Sequence, residues 1–171
     1  TFFRLSIAVA NLALFGCGKP PSAPTVTPQT PEQREDAALR RWTFVESTRD
    51  ESLPNRPVVR VVIKTLGSPS LVQDADLAPL REFTSLRELE LDHCNVTGAG
   101  FAHLAGLKEL RSIRTHLCPI NDAGLKALPD LPALETLEFD GWEKVSNEGF
   151  AEVKRFPKLR WLRLPDGITD E

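Results

Sequence analysis

Residues 86–96 read LRELELDHCNV, and the spacing of their apolar side chains decides how the chain folds. Leu89 and Leu91 alternate with Glu88, Glu90 and Asp92. That is the pattern of a half-buried strand, whose successive side chains point to opposite faces. The pattern returns at a period of about 24 residues, the mark of an internally repeated architecture. Leu110, Leu134 and Leu159 begin further copies, continued by Ile113, Leu137 and Leu162 and then by Thr115, Phe139 and Leu164. In the second half of each copy Gly100, Gly124 and Gly149 precede Phe101, Leu125 and Phe150. Leu104, Leu128 and Val153 follow, then Leu107, Leu131 and Phe156.

Upstream, Val58, Val61 and Ile63 supply the strand of a divergent first copy, and Leu77, Leu80 and Phe83 its helix, with a longer loop around residues 67–73. The quoted stretch resembles the leucine-rich-repeat template L-x-x-L-x-L-x-x-C-x-L, with Val96 at the last apolar position, and LRSIRTHLCPI departs from it chiefly at Thr115. The second halves NVTGAGFAHL, PINDAGLKAL and KVSNEGFAEV resemble the cysteine-containing subclass of that family. The resemblance covers residues 58–171 and implies an α/β solenoid, with parallel strands on a concave face and helices or helical turns on a convex one. It implies about four and a half repeats, above the three or so that a stable array needs. One copy cannot bury its apolar side alone, so stacking supplies the core. Each fully buried Leu, Val, Ile or Phe is worth about 1.5–3 kcal/mol.

Ahead of the repeats, Thr30 with Gln33 fits a capping box, Pro31 fits a first helical position, and Ala38, Trp42 and Val45 recur at helical spacing. Residues 32–57 are therefore expected to form an N-terminal cap helix and its connection. Residues 18–31 are a linker with prolines at 20, 21, 24, 28 and 31, a semi-rigid tether. Residues 1–17, TFFRLSIAVANLALFGC, place Arg4 before an apolar run from Leu5 to Phe15. The run falls short of the roughly 20 residues of a spanning helix and has the order of an export signal. Leu14-Phe15-Gly16-Cys17 resembles a bacterial lipobox, which implies lipidation at Cys17 and a location in the cell envelope, anchored to the membrane; Phe15 departs from that pattern. The chain has no Met, and it stops one residue before the next repeat glycine, so a longer protein with more repeats is expected.

Side chains alternating with the buried ones form the candidate binding surface. They are Arg60, Val62 and Lys64; Glu88, Glu90 and Asp92; Ser112, Arg114 and His116; Thr136, Glu138 and Asp140; then Trp161, Arg163 and Pro165. Rows alternate in sign, and with strands about 4.8 Å apart Arg114 can reach Glu90 or Glu138, and Arg163 can reach Glu138. Two readings stay open: a self-neutralising ladder that keeps the face soluble, or a ligand-reading surface on which Arg114, His116, Trp161 and Arg163 make the discriminating contacts. Cys94 and Cys118 share a template position and should stack, filling space and donating weakly to loop backbone; a disulfide between them is the alternative in an oxidising compartment. A metal site from His93, Cys94, His116 and Cys118 is disfavoured, because the template turns the thiols inward and His116 outward.

A net charge of −3 with 26% charged residues lacks the basic excess that nucleic acid demands. None of the motifs G-x-S-x-G, H-E-x-x-H, G-x-x-x-x-G-K-S/T or G-x-G-x-x-G occurs. Glu88 and Glu90 on an open face have no desolvating pocket to separate their pKa values. The expectation is a non-enzymatic module without a cofactor that binds a protein or peptide. The repeats also resemble those of F-box proteins, which implies an intracellular adaptor, but nothing like an F-box precedes them. A structural envelope protein without a specific ligand is the other alternative.

Overall fold

In the computed structural model, which describes residues 30–65, 72–141 and 145–163, the expected strand periodicity produces one six-stranded sheet in chain order. The strands are β1 (Val45–Arg49), β2 (Val58–Lys64), β3 (Glu88–Asp92), β4 (Ser112–His116), β5 (Thr136–Asp140) and β6 (Trp161–Arg163). β2 to β6 run parallel, and β1 is antiparallel to β2. A parallel pair needs a crossover, and each one here passes through a short helical segment on the same side of the sheet. These are 3-10 turns at Asp74–Glu82 and Ala99–Leu104, α2 at Asp122–Ala127, and α3 at Asn147–Ala151 continued by a 3-10 turn to Arg155. The chain is thus α/β, with a mostly parallel sheet and few helices.

Apolar residues sit where the period places them. Val61, Ile63, Leu89, Leu91, Ile113, Leu137 and Phe139 point from the strands into the core, and Leu77, Leu80, Phe101, Leu104, Leu125 and Leu128 close it from the helical side. Phe101 and Phe139 stack at 5.8 Å between centroids. Thr115 occupies the same row as Ile63, Leu91 and Phe139 and is fully buried, and its hydroxyl finds no hydrogen-bond partner among the described residues. An unpaired buried hydroxyl costs stability that a methyl does not. Thr115→Val is expected to stabilise the protein by about 1 kcal/mol. Urea unfolding checks this, and a midpoint that falls would contradict it.

Carboxylates tie successive copies together. Asp74 accepts from the backbone N–H of Thr97 (3.2 Å), Gly98 (3.1 Å) and Gly100 (2.8 Å) and from the Thr97 hydroxyl (2.7 Å). Two copies further on, Asp122 accepts from the Ser146 N–H (2.9 Å) and hydroxyl (2.6 Å). Each carboxylate satisfies donors that a helical turn leaves open at its start, and it does so from the neighbouring copy. Asn121 instead caps its own helix, accepting from Ala123 and Gly124.

At the N-terminal end, α1 (Pro31–Leu39) carries the expected capping box between Thr30 and Gln33 and begins on Pro31. The helix stops sooner than its apolar spacing suggests. Trp42 lies beyond it, stacked on Phe83 at 6.3 Å, with its indole N–H donating to the Asp76 carbonyl at 3.1 Å. Val45 is the first residue of β1 rather than part of a helix. Extended pairing with β2 outweighs the local period, because β1 satisfies the otherwise open edge of β2. At the other end Phe150, expected in the core beside Phe101 and Leu125, is 36% exposed. Its counterparts are covered by the following copy's helical turn, and among the described residues no such turn follows α3.

The leader with Cys17, residues 18–29 of the linker, most of the loop after β2 and the segment holding Leu164 and Pro165 lie outside the described residues, whereas Thr30 and Pro31, expected in the linker, cap and begin α1.

Candidate functional site

The face of the sheet turned away from the core is where the outward side chains meet. Its register is unbroken from β2 to β6. Arg60, Glu88, Ser112, Thr136 and Trp161 form one row; Val62, Glu90, Arg114, Glu138 and Arg163 form the next. Lys64, Asp92, His116 and Asp140 form a third. All eleven expected site residues of the repeats, from Arg60 to Arg163, therefore lie on one surface.

The alternating charges are largely engaged with one another. Arg60 bridges Glu88 (3.4 Å) and Glu90 (3.1 Å), and Arg114 pairs with Glu138 (3.4 Å). Arg163 turns to Asp140 (3.4 Å) instead of the expected Glu138, whose carboxylate Arg114 occupies. Asp140 also faces His116 at 3.8 Å, while Asp92 meets the ring of His93 at 2.7 Å. Pairs this exposed are worth about 0–1 kcal/mol each and do little to fix the fold. They cost a ligand correspondingly little to rearrange. Trp161, 59% exposed, is the most open large apolar side chain among those described.

Two members of the rows are not outward in practice. Val62 is buried at 2% exposure although it belongs to this face, and Ser112 is buried at 7%. Val62 is covered because the face continues onto β1, where Glu46 sits opposite it. Glu46 also pairs with Lys64 at 3.5 Å, and Phe44, 49% exposed, borders a depression of about 250 Å³ floored by Val62. Phe44, Glu46 and Thr48 are thus face residues that the helical reading of this segment missed. The signal lay in Val45 to Thr48, where β-branched residues at both ends favour a strand.

On the opposite side of the same strand ends, Cys94 and Cys118 are buried free thiols. Cys94 Sγ donates to the carbonyls of Ile63 (3.7 Å) and Asp92 (3.5 Å), and Cys118 Sγ to those of Leu91 (3.7 Å) and His116 (3.4 Å). Each thiol thereby reaches a carbonyl at the end of the preceding copy's strand. The neighbouring Cys118 thiol, together with burial, pushes the Cys94 thiol above the ordinary thiol range. Among the described residues no group of three or more His, Cys, Asp or Glu side chains is arranged to hold a metal ion.

Compared with known proteins, the chain matches no family model and no curated protein.

Proposed function

We propose that this chain is a leucine-rich-repeat solenoid of a non-enzymatic binding protein, which takes a protein or peptide ligand on the charged open face of its sheet. The observation that carries the reading is the unshifted register of β2 to β6, which gathers outward side chains from five successive copies into continuous rows. Such a surface is shallow and charged, with exposed aromatic side chains at both ends, Phe44 and Trp161. Aromatic and arginine side chains dominate binding energy at protein interfaces. The repeat template supports the same assignment, because the thiols of Cys94 and Cys118 take equivalent roles one copy apart. The apolar leader and Cys17 support an exported protein held at the envelope by a lipid. Among the described residues no helix is long and apolar enough to cross a membrane.

The test exchanges the charges of one pair, Arg114→Glu with Glu138→Arg, so that the ion pair survives while the pattern a ligand meets is inverted. A random peptide library is panned on the wild type, and the enriched peptide is then titrated against both proteins. The expected result is affinity lower by at least about tenfold, with a stability change within about 0.5 kcal/mol. Unchanged affinity moves the site off this face, and a library without enrichment favours a structural protein with no ligand.

A further inference from the structure

α1 lies against the 3-10 segment Asp74–Glu82, and between them is a groove of about 490 Å³ whose apolar floor includes Ala37, Ala78 and Pro79 and whose rim carries Arg34, Arg41 and Arg81. Among the described residues Glu82 is the one acid in its lining, and Arg34 pairs with it at 3.7 Å. The acids on the other side of α1, Glu35 and Asp36, are held by Arg49. Arg81 donates Nε to the Ala78 carbonyl at 2.8 Å, which fixes its stem. Arg41, Arg81 and the adjoining Arg40 have no carboxylate at ion-pair distance among the described residues, in contrast to Arg49, Arg60, Arg87, Arg114 and Arg163.

We infer that this groove docks the headgroups of anionic phospholipids. Guanidinium forks suit phosphate oxygens, and the alanine and proline floor suits the glyceryl portion beneath them. The inference rests on the proposed anchoring at Cys17. α1 is the described element nearest to that residue in sequence, and the chain between Cys17 and Thr30 can reach at most about 45 Å when fully extended. The tether itself carries Lys19 and no acid before Glu32, so it does not complement the groove. Lipid anchors hold stably when a second, basic contact joins them.

The experiment measures partition of the full chain onto phosphatidylcholine vesicles with and without phosphatidylglycerol, for the wild type, for Arg41→Glu with Arg81→Glu, and for a charge-matched control, Lys154→Glu with Lys158→Glu. Wild type and control are expected to prefer the anionic vesicles, and the groove variant to lose that preference by at least about 25-fold, at roughly fivefold per basic residue. Equal partition onto both vesicle types, equal loss in the control, or displacement by inorganic phosphate overturns the inference, the last assigning the groove to a soluble phosphate. Intact mass of the mature chain reports separately whether Cys17 carries lipid, so failure of the anchor and failure of the groove are read independently.

Discussion

Replacing Glu35 by alanine is expected to lower stability by about 3 kcal/mol, the scale on which a buried ion pair fails when one partner is removed. Glu35 is 3% exposed, on the face of α1 turned toward the sheet. Its carboxylate accepts from the Val58 N–H at 3.1 Å and from the Arg49 guanidinium at 2.9 Å, so one side chain joins α1, β1 and β2. Arg49 spends its other nitrogen on Asp36 (2.6 Å) and also reaches the Arg56 carbonyl (2.7 Å). Alanine leaves the Val58 donor buried without an acceptor and Arg49 with only Asp36 as counter-ion. Urea unfolding should show a midpoint lower by at least about 1 M at an ordinary slope for a domain of this size. A shift within error would show that the end of the sheet holds by apolar contacts alone.

The same residue sets a pH dependence. Burial raises the Glu35 carboxyl above its ordinary value of 4.5, against the pull of the Val58 N–H and the Arg49 charge. A raised value means that the folded state holds the proton more tightly than the unfolded chain. The contribution to stability is therefore complete below about pH 4.5 and is lost as the pH rises through the folded-state value. Glu35→Gln cannot ionise and lacks this slope. Its deficit relative to wild type is expected to shrink from pH 4 toward neutrality, and a deficit that grows would mean that the charge on Arg49 outweighs burial.

How much of this was legible in the sequence depended on whether a signal repeated. The strands from Val58 onward and the rows on their outer face follow from a period of two nested within the longer one, so Arg60, Glu90, Arg114 and Glu138 fell on one surface as expected. β1 occurs once and has no copy to align with, and an apolar spacing compatible with a helix hid it. Asp74 and Asp122 escaped for a different reason. They stand one copy apart from the donors they satisfy, and the position between them is Gly98, so nothing local identifies them as caps. The pairing of Arg163 with Asp140 was likewise settled by competition, since Arg114 had already taken Glu138.

Gly124→Ala carries the second large expected effect, a loss of about 2 kcal/mol. In an isolated helix this exchange would be favourable by as much as about 1 kcal/mol, because alanine loses less backbone freedom on folding. Here α2 presses its backbone against the preceding copy. A Cβ on Gly124 would lie 2.6 Å from the Thr97 carbonyl oxygen, 2.9 Å from Gly98 Cα and 3.2 Å from a methyl of Ile120. The two nearest atoms are backbone and cannot turn aside. Gly98 cannot yield either, since it sits at φ +102° and a Cβ of its own would come within 2.4 Å of Gly124 Cα. Relief requires the copies to move apart, which opens the Phe101 and Leu125 layer and costs about 1–3 kcal/mol beyond the propensity gain. Gly106→Ala is the control, because no atom outside its own chain neighbours lies within 4 Å of a Cβ there; it is expected to be neutral or stabilising by about 0.5 kcal/mol. Paired urea titrations decide between close approach and mere local propensity as the reason a glycine recurs at 100, 124 and 149. If both alanine variants unfold at the wild-type midpoint, the recurrence reflects no packing constraint, and the copies stack with more tolerance than their backbone contacts imply.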